Sequence, residues 1–539
     1  MPGRAGVMRA GPAAGRAAGR AAEPTVGQAR RPARDTPLVA AVDVGTTGAR
    51  AIAFGLDGRP VAEVRRPYRI SAPRPGWAEQ DARDWAEDAV TALAGLASRT
   101  SRAGQIRAIG LTGQCPTMVA ADERGRPLRA GMLYRDNRAV AQARAMRERI
   151  GDAELHRRTG HLAEAFHVGP KVLWIREHEP EIFARTRLIL QPRDVVLHRL
   201  TGLVRTDQTH ANATLFYNLR ERAWDDGLLA AFDLDPALFP RALPPWEAAA
   251  ELGPAAAREL GLDAGIPVVI GAADSQCAAV GAGVTAPGPV SEMAGASSCL
   301  NSAVREPLAD TAVTHYSHAV PGMFCTELGV NTTGAAVTWA VKALGYAGYD
   351  DLSQGAERFT RRLRRTAGHG AGAAAAVAAA PLFLPYLGDG ERDDPELRAG
   401  FVGLSDRHDR AAMAFAVAEG LALGVRSALA ALERAGAPLT ELRVGGGGAR
   451  MDLIGQLKAD LLGRPVLHLG LDPAGFGAAM LGADAAGYGA DAAAAALAIR
   501  SQARRFVPSR AGTAFERHRA AWFDQVRASA AVHNPQELT

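Results

Sequence analysis

Residues 38–55, LVAAVDVGTTGARAIAFG, decide the fold. Two apolar, β-branched runs flank a turn of glycine and threonine, so the segment reads as a hairpin and not as a strand feeding a helix. The pattern continues through LDGRP (56–60) into VAEVRR (61–66), a third strand. Helical spacing follows: in DARDWAEDAVTALAGLASR (81–99), Trp85, Val90, Leu93 and Leu96 recur every three to five residues. A further strand, IRAIGLTG (106–113), ends on Gln114. Strands and helices in this order give an α/β class.

Much later, PVSEMA (289–294), GASS (295–298) and CLNSAV (299–304) repeat strand, small-residue turn, strand. Gly45-Thr46-Thr47 and Gly295-Ala296-Ser297-Ser298 hold matching places, the mark of an internal duplication with its boundary near TAPGP (285–289). We therefore expect an N-terminal domain over 37–286 and a C-terminal domain over 287–530. A chain of 539 residues is too long for one core, which agrees with two large domains.

The net charge of +5 and pI near 9.2 raise the question of anionic partners. Residues 1–36 alone hold seven arginines against two acids, a surplus equal to that of the whole chain. This Ala/Gly/Arg-rich leader has too few large apolar residues to bury surface and reads as an unstructured extension. It lacks the apolar core of a secretory signal. The rest is charge-balanced, so neither nucleic acid nor a membrane surface is expected as a partner.

Four cysteines, Cys115, Cys277, Cys299 and Cys325, contain no CxxC pair, which excludes a disulfide framework and a zinc site. The most apolar run, 371–388, is mostly alanine and is broken by Pro381 and Pro385, so no membrane span is expected. A cytoplasmic setting follows. The stretch 367–380, AGHGAGAAAAVAAA, fits a helix and a flexible insertion equally.

Five segments have the glycines and small hydroxyl residues that let backbone N–H groups face phosphate oxygens: 43–48, 271–283, 295–298, 444–450 and AGFGAAMLGA (474–483). None of the three lysines, Lys171, Lys342 and Lys458, stands in a GxxxxGK[ST] context, which excludes a Walker P-loop. The protein-kinase motifs are absent, and no GxGxxG opens a helix after the first strand. Two hairpins from duplicated domains clasping phosphates is the arrangement of the actin-like (ribonuclease H-like) ATPases, with the nucleotide in a cleft between the domains.

DVGTTGAR (43–50) resembles the first phosphate loop of the FGGY carbohydrate kinases. The resemblance continues collinearly through LTGQ (111–114), MLYRDNRA (132–139), KVLWIREHEPE (171–181), VVIGAADSQCAAVGAG (268–283), PYLGDGERDDPELRAGFVGLS (385–405), VGGGGARMDLIGQLKADLLGRPV (444–466) and GAAML (477–481). Within the family it leans toward the xylulose kinases through LQPRDVVLHRLTG (190–202) and SHAVPG (317–322). Two departures stand out. Cys115-Pro116 replaces the Met-His usual in xylulose kinases and the Arg-Glu of glycerol kinases, and Gly295-Ala296-Ser297 replaces Gly-Thr-Ser.

The resemblance implies ATP and Mg²⁺ as cofactors and a small sugar as substrate. D-xylulose or a related ketopentose comes first; gluconate or a sugar alcohol such as erythritol is the alternative. A catalytically lapsed sugar sensor and an actin-like polymer protein are the readings from other classes. A homodimer is a candidate assembly.

From the residues alone, Asp274 follows the apolar strand VVIG among small side chains and is either a general base or a helix N-cap. The resemblance makes it the catalytic base, touching the sugar together with Gln114, Arg135 and Asp136. It also assigns Asp43 to Mg²⁺; Gly45, Thr46, Thr47, Arg50, Gly295, Ala296 and Ser297 to the phosphates; and Gly446, Gly447 and Gly448 to the adenosine. Tyr134, where relatives often carry Trp, is expected as an apolar wall. His318 fits a site-lining and a structural place equally.

Overall fold

The computed structural model describes residues 37–100, 103–366, 380–388, 391, 396–509 and 513–530. The leader 1–36 and residues 367–379 of the alanine-rich stretch lie outside the described residues.

Strand β1 (Leu38–Val44) is buried at all seven positions, which explains its unbroken apolar run: both faces of the sheet are covered. It pairs antiparallel with β2 (Gly48–Gly55), and β2 pairs antiparallel with β3 (Pro60–Pro67). The chain then crosses over through helix α1 (Ala82–Thr100), which buries Trp85, Leu93 and Leu96. It returns as β4 (Ile106–Gly113), parallel to β1, and later as β5 (Pro267–Ala273), parallel to β4. The sheet order is thus 3-2-1-4-5, with Ala248–Glu251 added at the β5 edge. Helix α2 (Asp274–Gly281) leaves β5 directly.

The second sheet repeats this plan. Its strands are β6 (Gly288–Ala294), β7 (Ser298–Val304), β8 (Phe324–Val330), β9 (Leu439–Gly446) and β10 (Val466–His468). β6, β7 and β8 form an antiparallel meander, while β9 pairs parallel with β6 and β10 parallel with β9. The same order and the same pairing in both sheets is the duplicated actin-like ATPase fold, and β6 begins beside the TAPGP turn. Between β8 and β9 run α3 (Gly334–Ala343), α4 (Tyr349–Thr366) and α5 (Arg410–Ala435); α6 (Asp452–Leu462) joins β9 to β10. Among the described residues only α5 has the length and apolarity to cross a membrane, but 72% of its apolar window is buried inside the protein. It is a core helix, unbroken by proline, unlike the run at 371–388.

Helix α7 (Pro473–Ala485) corrects one expectation. With its glycines, AGFGAAMLGA suggests a phosphate loop. It is instead a buried helix, and it packs on the first sheet with Val39, Ala108 and Cys277 although it follows the second in sequence. Its glycines serve close approach: a Cβ at Gly477 would stand 1.9 Å from the carbonyl oxygen of Cys277, and one at Gly281 2.0 Å from that of Pro473. The late chain therefore completes the first domain and clamps α2 in place.

Candidate functional site

Three neighbouring strands of the first sheet end side by side. Asp43 is next to last in β1, Gln114 follows β4, and Asp274 follows β5; Val44 pairs with Gly113, and Gly113 with Ala273. Ligands of α/β sheets bind at such carboxyl ends.

Asp274 is half-buried and accepts the Ser275 N–H at 2.8 Å. Burial pushes its carboxyl up to about 8, and the charges of Asp43, Glu327 and Asp472 push the same way. Glu327 belongs to β8 of the second sheet, so Asp274 lies where the two domains meet. A carboxyl poised near neutral pH suits a general base.

Groups from both domains hold this position. The Ala273 N–H donates to Thr209 Oγ1 at 2.9 Å, and Thr209 Oγ1 donates to Asp207 at 2.5 Å. The fully buried Arg193 binds Asp207 at 2.8 Å and donates to the Ile270 carbonyl at 2.7 Å. From the other side, Ser275 Oγ donates to Glu327 at 2.7 Å, and Asn301 Nδ2 donates to the Ser275 carbonyl at 3.3 Å. Sequence reasoning missed Thr209, Asp207 and Glu327. The signal for Asp207 and Thr209 is the polar run TDQTHAN (206–212), too hydrophilic for a core and yet buried throughout; Glu327 stands in the strand FCTELGV (324–330).

Asp43 is 7% exposed. Its Oδ2 accepts from Arg50 Nη2 at 2.7 Å and Nε at 3.2 Å, while Oδ1 is buried without a hydrogen-bond partner. Burial raises its pKa against the pull of Arg50. A buried acceptor oxygen with no donor fits a cation, and Mg²⁺ takes one or two carboxylates and completes its shell with phosphate oxygens and water. Arg50 is also ion-paired to Asp472, the N-cap of α7. The turn beyond is braced from below: the Thr46 carbonyl accepts Gln80 Nε2 at 2.7 Å, and the Gly45 carbonyl accepts the Tyr68 hydroxyl. Thr47 is exposed at the tip.

The expected sugar ligands divide. Tyr134 bonds Thr46 and lies within electrostatic reach of Asp274, and burial raises its phenol. Arg135 is exposed on the same turn. Gln114 and Asp136 require correction, because their polar atoms are spent inside the protein. Gln114 is 1% exposed; its amide nitrogen reaches Gln80 at 3.2 Å and the Gly45 carbonyl at 3.5 Å. Asp136 is fully buried, and its carboxylate accepts the Ala78 N–H at 2.7 Å and Arg138 at 2.6 and 2.8 Å. The first braces the turn between β1 and β2, and the second holds the turn that carries Tyr134. Cys115 packs against Ala213, Tyr316 and Cys325 near Asp274, where burial keeps its thiol protonated. His318 is fully buried, and burial lowers its pKa to about 4.

In the second domain a cavity of about 920 Å³ is lined by Gly295, Ala296, Gly334, Tyr349, Gly447, Gly448 and Lys458, among others. The turn Gly295–Ser297 is exposed, with Ser297 at its tip. Its carbonyls are fixed by α3: Gly334 N–H donates to Gly295 at 3.1 Å, and Thr333 N–H to Ala296 at 3.0 Å. Gly446 has φ +82°, and a Cβ at Gly448 would stand 2.4 Å from that of Ala294, so this glycine run lets the chain fold tightly over the end of β6. The cavity can hold a nucleotide with its phosphates toward the two hairpin turns. Thr333 and Gly334 went unnoticed in the sequence; NTTG opening a helix is the signal, since helix N-termini attract anions.

Comparison with known proteins agrees with this geometry. Residues 38–281 match the N-terminal domain, and residues 291–486 the C-terminal domain, of the FGGY family of carbohydrate kinases. A xylulose kinase of Bacillus subtilis is 28% identical, over 82% of this chain and 87% of its own. A glycerol kinase of Leptothrix cholodnii is 31% identical, over 79% of this chain and 86% of its own. The crystal structure of a xylulose kinase from Rhodospirillum rubrum superposes with a TM-score of 0.79 at 28% identity, covering 91% of this chain and 98% of that one. With both domains matched, the chain belongs to the FGGY family of carbohydrate kinases and is a phosphotransferase acting on a sugar hydroxyl.

Proposed function

We propose that the protein transfers the γ-phosphate of ATP to a hydroxyl of a small ketose, with D-xylulose as the first candidate. The observation that carries the reading is Asp274: a carboxyl raised toward neutrality, locked at the meeting of the two domains, beside the Asp43 hairpin. In the reaction Asp274 accepts the hydroxyl proton as the sugar oxygen attacks the γ-phosphorus in line. Asp43 would hold Mg²⁺ through its Oδ1; the metal, when bound, neutralises triphosphate charge. Arg50 and the turns at 45–47 and 295–297 orient the phosphates, Gly446–Gly448 face the nucleoside, and Tyr134 and Arg135 border the sugar. Closure of the domains excludes water and limits wasteful hydrolysis of ATP.

D-xylulose is favoured by the xylulose kinases among the relatives. Cys115-Pro116 favours a second reading, gluconate or a sugar alcohol, because this pair places neither an imidazole nor a carboxylate beside Asp274. Asp43 and Asp274 together speak against a lapsed sensor, since a protein that only bound sugar would need neither. A coupled ADP-release screen over ketopentoses, polyols and aldonic acids tests the proposal. A dominant kcat/KM for a ketopentose supports it; a dominant aldonate or polyol selects the second reading. ATP turnover indifferent to every acceptor would sink both.

A further inference from the structure

The chain carries 59 arginines and three lysines, and one of those lysines lies beneath the nucleotide cavity. Lys458 of α6 meets both carboxylate oxygens of Glu292 on β6, at 2.7 and 2.5 Å. Both side chains are buried, 4% and 1% exposed, and both line the cavity. Glu292 stands three residues before the turn at 295–297. Its Oε1 also accepts the Ser298 hydroxyl at 3.0 Å, from the first residue after the turn. Ser298 Oγ lies 3.1 Å from Thr333 Oγ1, and Thr333 Oγ1 reaches the carbonyls of Gly295 at 3.3 Å and Ala296 at 3.4 Å. Each hydroxyl has one proton, so with Ser298 donating to Glu292, Thr333 donates to Ser298 or to a turn carbonyl; polar contacts through these two residues lead from α6 to the turn.

Stability does not explain this pair. Desolvating two charges offsets most of their attraction, and an apolar pair of similar volume commonly packs as well or better. An apolar pair could not grip Ser298. Lys458 supplies a compact ammonium where nearly every other cation of this chain is a wide planar guanidinium.

We propose that Glu292 and Lys458 are positioning residues for the second phosphate turn: Lys458 fixes Glu292, Glu292 fixes Ser298, and Ser298 with Thr333 sets the carbonyls of Gly295 and Ala296. The proposal rests on reading the cavity as the ATP site. The test is the double variant Glu292→Leu/Lys458→Leu of the full chain, assayed for melting temperature and for KM of each substrate. The expected result is a melting temperature at or above wild type, a KM for ATP raised roughly tenfold or more, as loss of a buried charge-assisted hydrogen bond implies, and an unchanged KM for the sugar. Equal changes in both KM values, or none, overturn it. Should the double variant fail to fold, Ser298→Ala removes only the link to the turn; the same selective rise in the ATP KM supports the proposal, and an unchanged one overturns it. Calorimetry of wild type with Mg·ATP separates the two levels. Absence of binding brings down the ATP-site reading itself, whereas normal binding with an indifferent double variant brings down only the positioning role.

Discussion

Asp472 and Arg50 form an ion pair that ties the N-cap of α7 to the β1–β2 hairpin. Arg50 also holds Asp43 at 2.7 Å, so one guanidinium is shared by carboxylates from opposite ends of the chain. Both carboxylates act on a third: their charges raise the pKa of Asp274, after burial. The site thus concentrates negative charge, and a single arginine holds Asp43 and Asp472 together.

The acid limb of kcat/KM is expected near pH 8, since that ratio reports the free enzyme and Asp274 titrates at about 8. Asp472→Asn removes one of the charges opposing its ionisation and is expected to move the limb to lower pH. A limb that does not move would show that Asp472 is electrostatically remote from the base. The pH–rate profiles of the two proteins, taken at several ionic strengths, decide it.

Asp274→Asn keeps the size and the N–H contact of the side chain but cannot accept a proton. Turnover is expected to fall by roughly 10²- to 10⁴-fold, the usual contribution of general base catalysis. Dissociation constants for ATP and the sugar, measured by calorimetry, are expected to stay within a few-fold. Near-normal turnover would remove Asp274 from the mechanism.

How far the sequence carried these conclusions depended on the kind of residue. Asp43 and Asp274 were legible because each closes an apolar strand, where a charged side chain has no packing role to explain it. Gln114 and Asp136 were misread because sequence gives a residue's turn but not its direction; both point inward, to Gly45 and Ala78. AGFGAAMLGA was misread for a related reason. Glycine serves a phosphate and a helix crossing equally well, and only the 1.9 Å clearance at Gly477 tells them apart. The Glu292–Lys458 pair joins segments too distant in sequence for any local pattern to announce it.

The raised pKa of Asp274 also has a consequence for stability. An unfolded aspartate releases its proton near 3.8, the folded one near 8. Between these values the native state holds a proton that the unfolded chain has lost, so this group makes stability fall as pH rises through the window, and then level off. Asparagine does not titrate. The melting temperature of Asp274→Asn is therefore expected to match wild type near pH 4 and to exceed it by a growing margin up to about pH 8. A constant difference across that range would mean that the carboxyl is not perturbed in the fold.

The crossing of α2 and α7 is the joint on which the position of Asp274 depends, and it admits no side chain at Gly477. At Gly477 an added methyl would meet the backbone carbonyl of Cys277, which cannot swing aside as a flexible side chain would. Cys277 is three residues into α2, the helix that begins with Asp274. Gly477→Ala must therefore push the helices apart or fail to close. A loss of roughly 1–3 kcal/mol is expected, as for an overpacked core. The displacement carries Asp274 with it, so kcat is expected to fall at temperatures where the variant is still fully folded. Gly475→Ala on the same helix faces side chains, Ile52 and Asp472, and should cost less. Thermal unfolding of both variants beside wild type, with kcat measured well below the transition, provides the check. Equal stability of the two would mean that α7 is not seated against α2 through Gly477.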